Sequence, residues 1–119
     1  MKVIYVAGKY SDDTVWKEGF NILKAGAVAA DIWQHGMAAI CPHMNTARMN
    51  GVVEYTQFMK GDFEILSRCD AVFMMDNYIH SEGAKAERAC ALRLLIPVFY
   101  NIDELYLWGE KQEDMKDNA

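Results

Sequence analysis

The chain has 119 residues, 52% hydrophobic and 24% charged, which suits one globular domain with its own core and excludes a disordered chain. A net charge of -5 excludes a surface built to coat nucleic acid, which needs clustered lysine and arginine. Three cysteines (Cys41, Cys69, Cys90) and three histidines (His35, His43, His80) fall into no CxxC or metal-ligand spacing, so neither a disulfide framework nor a bound metal is expected.

Residues 2–7, KVIYVA, read as a buried strand stopped by Gly8. The apolar run of MKVIYVAGKY is too short for a signal peptide, no 18-residue apolar segment follows, and Cys69 and Cys90, among apolar residues, read as buried free thiols, so a cytoplasmic protein is expected. Asp12, Asp13 and Thr14 offer N-caps for a helix running to about His35, with Gly36 as its stop. Its inward stripe is predicted as Trp16, Phe20, Leu23, Ala27 and Ala30. Residues 37–41 form a second strand, and a loop of about a dozen residues with His43, Asn45, Thr46, Arg48 and Gly51 follows Pro42.

A second helix is predicted over 54–68, with Tyr55, Phe58, Met59, Phe63 and Leu66 inward. Residues 70–75 make the third strand, DNYIHSEG a turn-rich connection, and residues 83–95 a third helix. PVFY from Pro97 is the fourth strand and 102–108 a short last helix. Residues 1–108 are taken as one domain and 109–119 as a charged, frayed tail.

Strands alternating with helices predict an α/β, flavodoxin-like (Rossmann-like) domain. Its parallel sheet has four or five strands, ordered 2-1-3-4, with helices on both faces. Ligands in such sheets sit outside the carboxyl ends of the strands where the order reverses, which points to Gly8–Asp13 and Asp76–Gly83.

Two carboxylates break the apolar pattern. Glu87 lies on the face of the third helix formed by Gly83, Cys90, Ala91 and Leu94, and Asp62 falls within the inward stripe of the second. A buried carboxylate is costly unless paired or hydrogen-bonded, and two whose environments separate their pKa values supply an acid and a nucleophile. Such pairs cleave glycosidic bonds through oxocarbenium-like transition states. Either residue at the edge of its stripe, reaching solvent or bonding a loop amide, is the competing reading. At the start of the third helix, Ser81 and Gly83 offer a hydroxyl and exposed amides that suit a phosphate, or Ser81 is simply the N-cap. Glu82 opposes a phosphate there, and Lys9, Lys85 and Arg88 are the cations that would offset it.

VAGKY, IWQHGMAAICPH, GDFEILSRCDAVFMM and NYIHSEGAKAERACALRLLIPVFY resemble the nucleoside 2-deoxyribosyltransferase superfamily over residues 2–100. The likeness is greatest to its DUF4406-like branch of small bacterial and phage proteins, and extends to the 2′-deoxynucleoside 5′-phosphate N-hydrolases. The resemblance implies a nucleophilic glutamate six residues after a phosphate-binding serine, matched by Ser81, Gly83 and Glu87. It also implies a catalytic aspartate eight residues before the one that opens strand 3, matched by Asp62 and Asp70. Gly8, Tyr10 and His43 are the further substrate-binding candidates. The first loop, AGKYSDD, lacks the extra glycines and arginine of the N-hydrolases, so phosphate contacts there are not implied.

The expected function is cleavage or transfer at the N-glycosidic bond of a (deoxy)nucleoside or its 5′-monophosphate through a glycosyl-Glu87 intermediate, without a cofactor. A non-catalytic nucleotide-binding module of the same fold is the alternative. The expected partners are a small-molecule nucleoside or nucleotide and a second copy of the chain, with neither nucleic acid nor membrane involved. Trp33, Tyr106 and Trp108 have no obvious core position and so suggest a homodimer or dimer of dimers; the resemblance implies that second-helix and third-helix surfaces pair.

Overall fold

A computed structural model describes the backbone of residues 1–117 and the side chains of residues 1–112. In chain order the elements are β1 (Val3–Ala7), α1 (Val15–Gln34), β2 (Ala38–Ile40), α2 (Pro42–Asn45) and α3 (Tyr55–Ser67). They continue with β3 (Ala71–Met74), a 3-10 turn (Asp76–His80), α4 (Glu82–Arg93), β4 (Val98–Phe99) and α5 (Ile102–Asp117). The four strands are parallel in the order β2-β1-β3-β4, with Tyr5 in register with Ile40 on one side and Val72 on the other. This is the predicted α/β arrangement. Among the described residues no helix is long and apolar enough to cross a membrane.

Alternation along β1 builds two cores. Ile4 and Val6 pack with Ala25, Ala29, Ile32 and Leu105 under α1 and α5, while Tyr5 and Ala7 pack with Leu66, Ala84, Cys90 and Ala91 under α3 and α4. Thr14 caps α1, its Oγ1 accepting from the Lys17 amide at 3.1 Å, and Gly36 at φ 83° ends that turn of chain in the left-handed region that glycine tolerates. The three cysteines are buried and free.

The predicted stripe of α1 is on the wrong side. Trp16, Phe20 and Leu23 are 88%, 59% and 72% exposed, and Ala27 and Ala30 are exposed as well. The buried residues are Asn21, Ala25, Ala29 and Ile32, equally well spaced for a helix. Small alanines let α1 approach the sheet closely, and the β1 side chains fill the space that larger helix residues would need. In α3 only Leu66 is fully buried; Phe58, Met59 and Phe63 are partly so, and Tyr55 is exposed, because the first half of that helix borders a cavity rather than the core.

The loop after β2 opens with the one-turn helix α2, which has proline at its start, where a missing amide costs nothing. The last helix passes the predicted end at 108 and reaches Asp117; residues 118–119 of the predicted tail lie outside the described residues. Gly109 explains part of that continuation. It is buried in α5, where a Cβ would come within 2.7 Å of the Met37 sulfur, so the helix stays in contact with the core beyond 108. Two of the three spare aromatics also find places within the chain. Tyr106 stacks on His35 with ring centroids 3.6 Å apart and donates to Asp31 at 2.8 Å, and Trp108 packs against Phe99. Trp33 stays 55% exposed.

Candidate active site

The chain turns toward β2 after β1 and toward β4 after β3, so a crevice opens between the ends of β1 and β3. The loops that follow these strands meet there. A Cβ on Gly8 would lie 2.7 Å from the Met75 sulfur and 3.0 Å from Asn77 Oδ1, so only glycine allows the approach. The Lys9 amide donates to Asn77 Oδ1 at 3.0 Å. Asn21, the polar member of the buried face of α1, donates through Nδ2 to the Tyr10 carbonyl at 3.2 Å and to Asp12 Oδ2 at 3.3 Å. Lys9 pairs with Asp12 at 3.3 Å, and hydrogen bonds from the Asp13 amide and Asn21, with Lys9 beside it, hold the Asp12 carboxyl down at about 2. The first loop is therefore held in shape by its own chain.

Above these loops lies a cavity of about 390 Å³. It is lined by all seven residues singled out in the sequence: Gly8 and Tyr10 from the first loop, His43 from α2, Asp62 from α3, and Ser81, Gly83 and Glu87 from the start of α4. Tyr55, Phe58 and Met59 form its apolar wall, and Lys9, Thr46, Asn50 and Glu82 also border it. Apolar walls with a few converging polar groups are the usual composition of a small-molecule pocket.

Glu87 is 7% exposed, and its Oε2 accepts a hydrogen bond from the hydroxyl of Tyr5, which is fully buried. Burial pushes the Glu87 carboxyl up to about 7, the Tyr5 hydrogen bond works against that rise, and the nearby Asp62 charge adds to it. Asp62 is raised by burial to about 6. Neither carboxylate takes part in an ion pair among the described residues. Two carboxyls that both titrate near neutrality in one cavity suit proton transfer and nucleophilic attack, and their titrations are coupled.

The other candidates hold their loops. His43 is 5% exposed, its Nε2 donates to the Lys9 carbonyl at 2.8 Å, and its ring meets Tyr10 edge-on with centroids 5.4 Å apart. Burial lowers its pKa, so the ring is neutral and His43 braces the first loop rather than carrying charge. Ser81 is the N-cap of α4, its Oγ accepting from the Ala84 amide at 3.1 Å. That use leaves the hydroxyl proton free to donate into the cavity. At Gly83 a Cβ would come within 3.2 Å of the Tyr55 hydroxyl, so this glycine lets α3 and α4 close one wall. The cations invoked beside Ser81 are mostly engaged elsewhere. Lys85 pairs with Glu82 at 3.4 Å, Arg88 donates to the Tyr100 hydroxyl, and neither borders the cavity.

Sequence reasoning missed Tyr5, Asn21 and Asn77. Tyr5 had a signal, a hydroxyl in an otherwise apolar strand, on the β1 face opposite Ile4 and Val6. Asn21 was hidden by the wrong α1 stripe, and Asn77 by a connection read only as turns.

A family model described as "Domain of unknown function (DUF4406)" matches residues 2–100. No curated protein matches the chain. A solved structure from the characterisation of the 2-deoxyribosyltransferase of the psychrotolerant bacterium Bacillus psychrosaccharolyticus shares the fold, with a TM-score of 0.57. It is 24% identical, and the match covers 81% of this chain and 69% of that one.

Proposed function

The chain belongs to the DUF4406 family, and from that premise and its 2-deoxyribosyltransferase-like fold we propose that it cleaves or transfers at the N-glycosidic bond of a (deoxy)nucleoside. The observation that carries this reading is Glu87, a carboxylate buried in a cavity of nucleoside size, hydrogen-bonded by Tyr5 and facing the field of a second raised carboxyl. Ionised Glu87 attacks C1′, the glycosidic electron pair leaves with the base, and Asp62 delivers a proton to the departing nitrogen. In the second half water or the nitrogen of another base attacks C1′, Asp62 takes up its proton, and Glu87 is released. The Tyr5 hydroxyl favours the charged form of the nucleophile. Tyr10 and His43 border the base, and Ser81 donates to the 5′ oxygen. Buried free thiols favour a reducing, cytoplasmic setting. The test is incubation with a panel of nucleosides and 5′-monophosphates, with and without a second base, followed by chromatography of free and exchanged base. Binding without release or exchange of base would instead support a non-catalytic module.

Charge favours the 5′-hydroxyl form over the 5′-phosphate. Asp62, Glu82 and Glu87 all border the cavity, whereas its one bordering lysine, Lys9, is paired with Asp12. Ser81→Ala is accordingly expected to cost about 1 kcal/mol of stability as a lost cap. It should also raise KM for a nucleoside and for its monophosphate by similar factors. A loss confined to the monophosphate, measured side by side, would assign Ser81 to phosphate instead.

The two protons also make a signature. Glu87 must lose its proton to attack, so activity rises as pH rises through its titration; Asp62 must keep its proton to act as acid, so activity falls as its own proton leaves. With carboxyls near 7 and 6, the proton shared between those values rests mainly on Glu87. The reactive form, with Glu87 ionised and Asp62 protonated, is therefore the minor one, and kcat/KM against pH is expected to be a narrow, low bell. Asp62→Asn should remove the alkaline fall and keep the acidic rise. It should slow poor leaving groups about a hundredfold and good ones much less. Equal slowing of both, with the bell intact, would leave Asp62 only a positioning role.

A further inference from the structure

The exposed face of α1 holds an apolar seam that no other described residue covers. Trp16, Phe20, Leu23, Ala27 and Ala30 follow one another at alternating steps of four and three, the spacing of a coiled-coil seam, and the first three are well over half exposed. Side chains of this size left in water beside one another mark an interaction surface rather than scattered apolar residues.

We propose that this face pairs with the same face of a second copy, antiparallel, about a twofold axis beside Gly26. The pattern is self-complementary in that register. Large residues occupy the first half of the seam and alanines the second, so Leu23 meets Ala27 of the second copy and Phe20 meets Ala30, large against small in each layer. The flanking positions agree. Lys17, whose ammonium pairs with Asp13 at 3.1 Å within its own chain, comes beside Asp31 of the second copy, and Asp31 is already fixed by the Tyr106 hydroxyl at 2.8 Å. Lys24 falls near its own counterpart at the axis, and its ammonium is drawn back over the Phe20 ring, 5.4 Å from the centroid.

The other edge explains two residues with no role inside the chain. Trp33 is 55% exposed, and in this register it covers Gly19 of the second copy. A Cβ at Gly19 would meet nothing within 4 Å, so no described residue of the same chain requires glycine there, although glycine inside a helix costs about 1 kcal/mol. Trp16, Phe20, Leu23 and Trp33, 88%, 59%, 72% and 55% exposed, supply more than half of the roughly 800 Å² per partner of a standard interface, a whole aromatic side chain contributing roughly 150–250 Å².

Light scattering on the purified chain at micromolar concentration is expected to give twice the chain mass. Leu23→Glu, at a position 72% exposed within one chain, should give the single-chain mass with an unchanged circular dichroism spectrum, its dimer weakened on the order of a hundredfold. The double variant Phe20→Cys/Ala30→Cys tests the register. Its two cysteines lie about 15 Å apart along one helix, beyond the reach of an internal disulfide. Oxidation should therefore yield a covalent dimer on a non-reducing gel, which neither single variant forms between those positions. The native thiols are buried and do not compete. A wild-type chain of single mass, a dimer that survives Leu23→Glu because α3 and α4 hold it, or a dimer that fails to cross-link would each overturn the proposal.

Discussion

Glu87→Gln is expected to lower kcat/KM by on the order of 10⁴-fold or more while nucleoside affinity changes only a few-fold. Glutamine keeps the shape of the side chain and can still accept from the Tyr5 hydroxyl, so the packing beneath α4 stays in place. What it lacks is the charge that forms the bond to C1′. Acid-quenched wild-type enzyme should carry the mass of one glycosyl group on the peptide containing Glu87, and the variant none. A glutamine variant that keeps more than a tenth of wild-type activity, or a glycosyl adduct on another residue, would remove Glu87 from the chemistry. The adduct also separates two kinds of loss. A variant that merely distorts the cavity binds nucleoside poorly, whereas loss of the nucleophile leaves binding and removes the adduct.

Much of the arrangement was legible because it follows from order along the chain. Strands that alternate with helices specify a parallel sheet. The turn toward β2 after β1 and toward β4 after β3 then brings Gly8–Asp13 and Asp76–Gly83 together without reference to side-chain contacts. Glu87 and Asp62 were legible because a carboxylate within a stripe of small and apolar residues stands out even without a known partner. What the pattern hid was the choice between two equally spaced faces. On α1 the stripe with Trp16, Phe20 and Leu23 looked more hydrophobic than the one with Ala25 and Ala29, yet a helix packed closely on a sheet needs the small residues inward. The same error concealed Asn21, which holds the first loop through Tyr10 and Asp12. Tyr5 shows a related gap. Which way a strand residue points depends on which helix covers that face, and the hydroxyl–carboxylate contact spans 82 residues of chain. Partners of the cations were equally invisible, since Lys85 and Arg88 lie close in sequence to Ser81 but turn away from the cavity on the helix surface.

The carboxylate proposed as the nucleophile should also weaken the fold at neutral pH. A glutamate ordinarily titrates at 4.5, and burial raises Glu87 to about 7. Between those values the folded chain holds a proton that the unfolded chain has released. The stability tied to this group is therefore fully present below about 4.5 and is lost as pH rises through about 7. Across that pH range the loss amounts to about 3 kcal/mol, at about 1.4 kcal/mol per pH step of one. Asp62, raised to about 6, acts in the same direction. Glutamine cannot ionise, so Glu87→Gln should match the wild type in thermal midpoint near pH 4.5 and exceed it by roughly 10 °C at about pH 8. Thermal melts of both proteins at the two pH values measure this directly. A midpoint gain of equal size at both would trace to packing rather than charge, and a fall at the higher pH would mean that the buried carboxylate is stabilised in its ionised form by contacts stronger than the Tyr5 hydroxyl. The expected gain measures a cost of the site: the burial that sets Glu87 in the cavity disfavours the charge it needs to attack C1′, and the Tyr5 hydroxyl works against that effect.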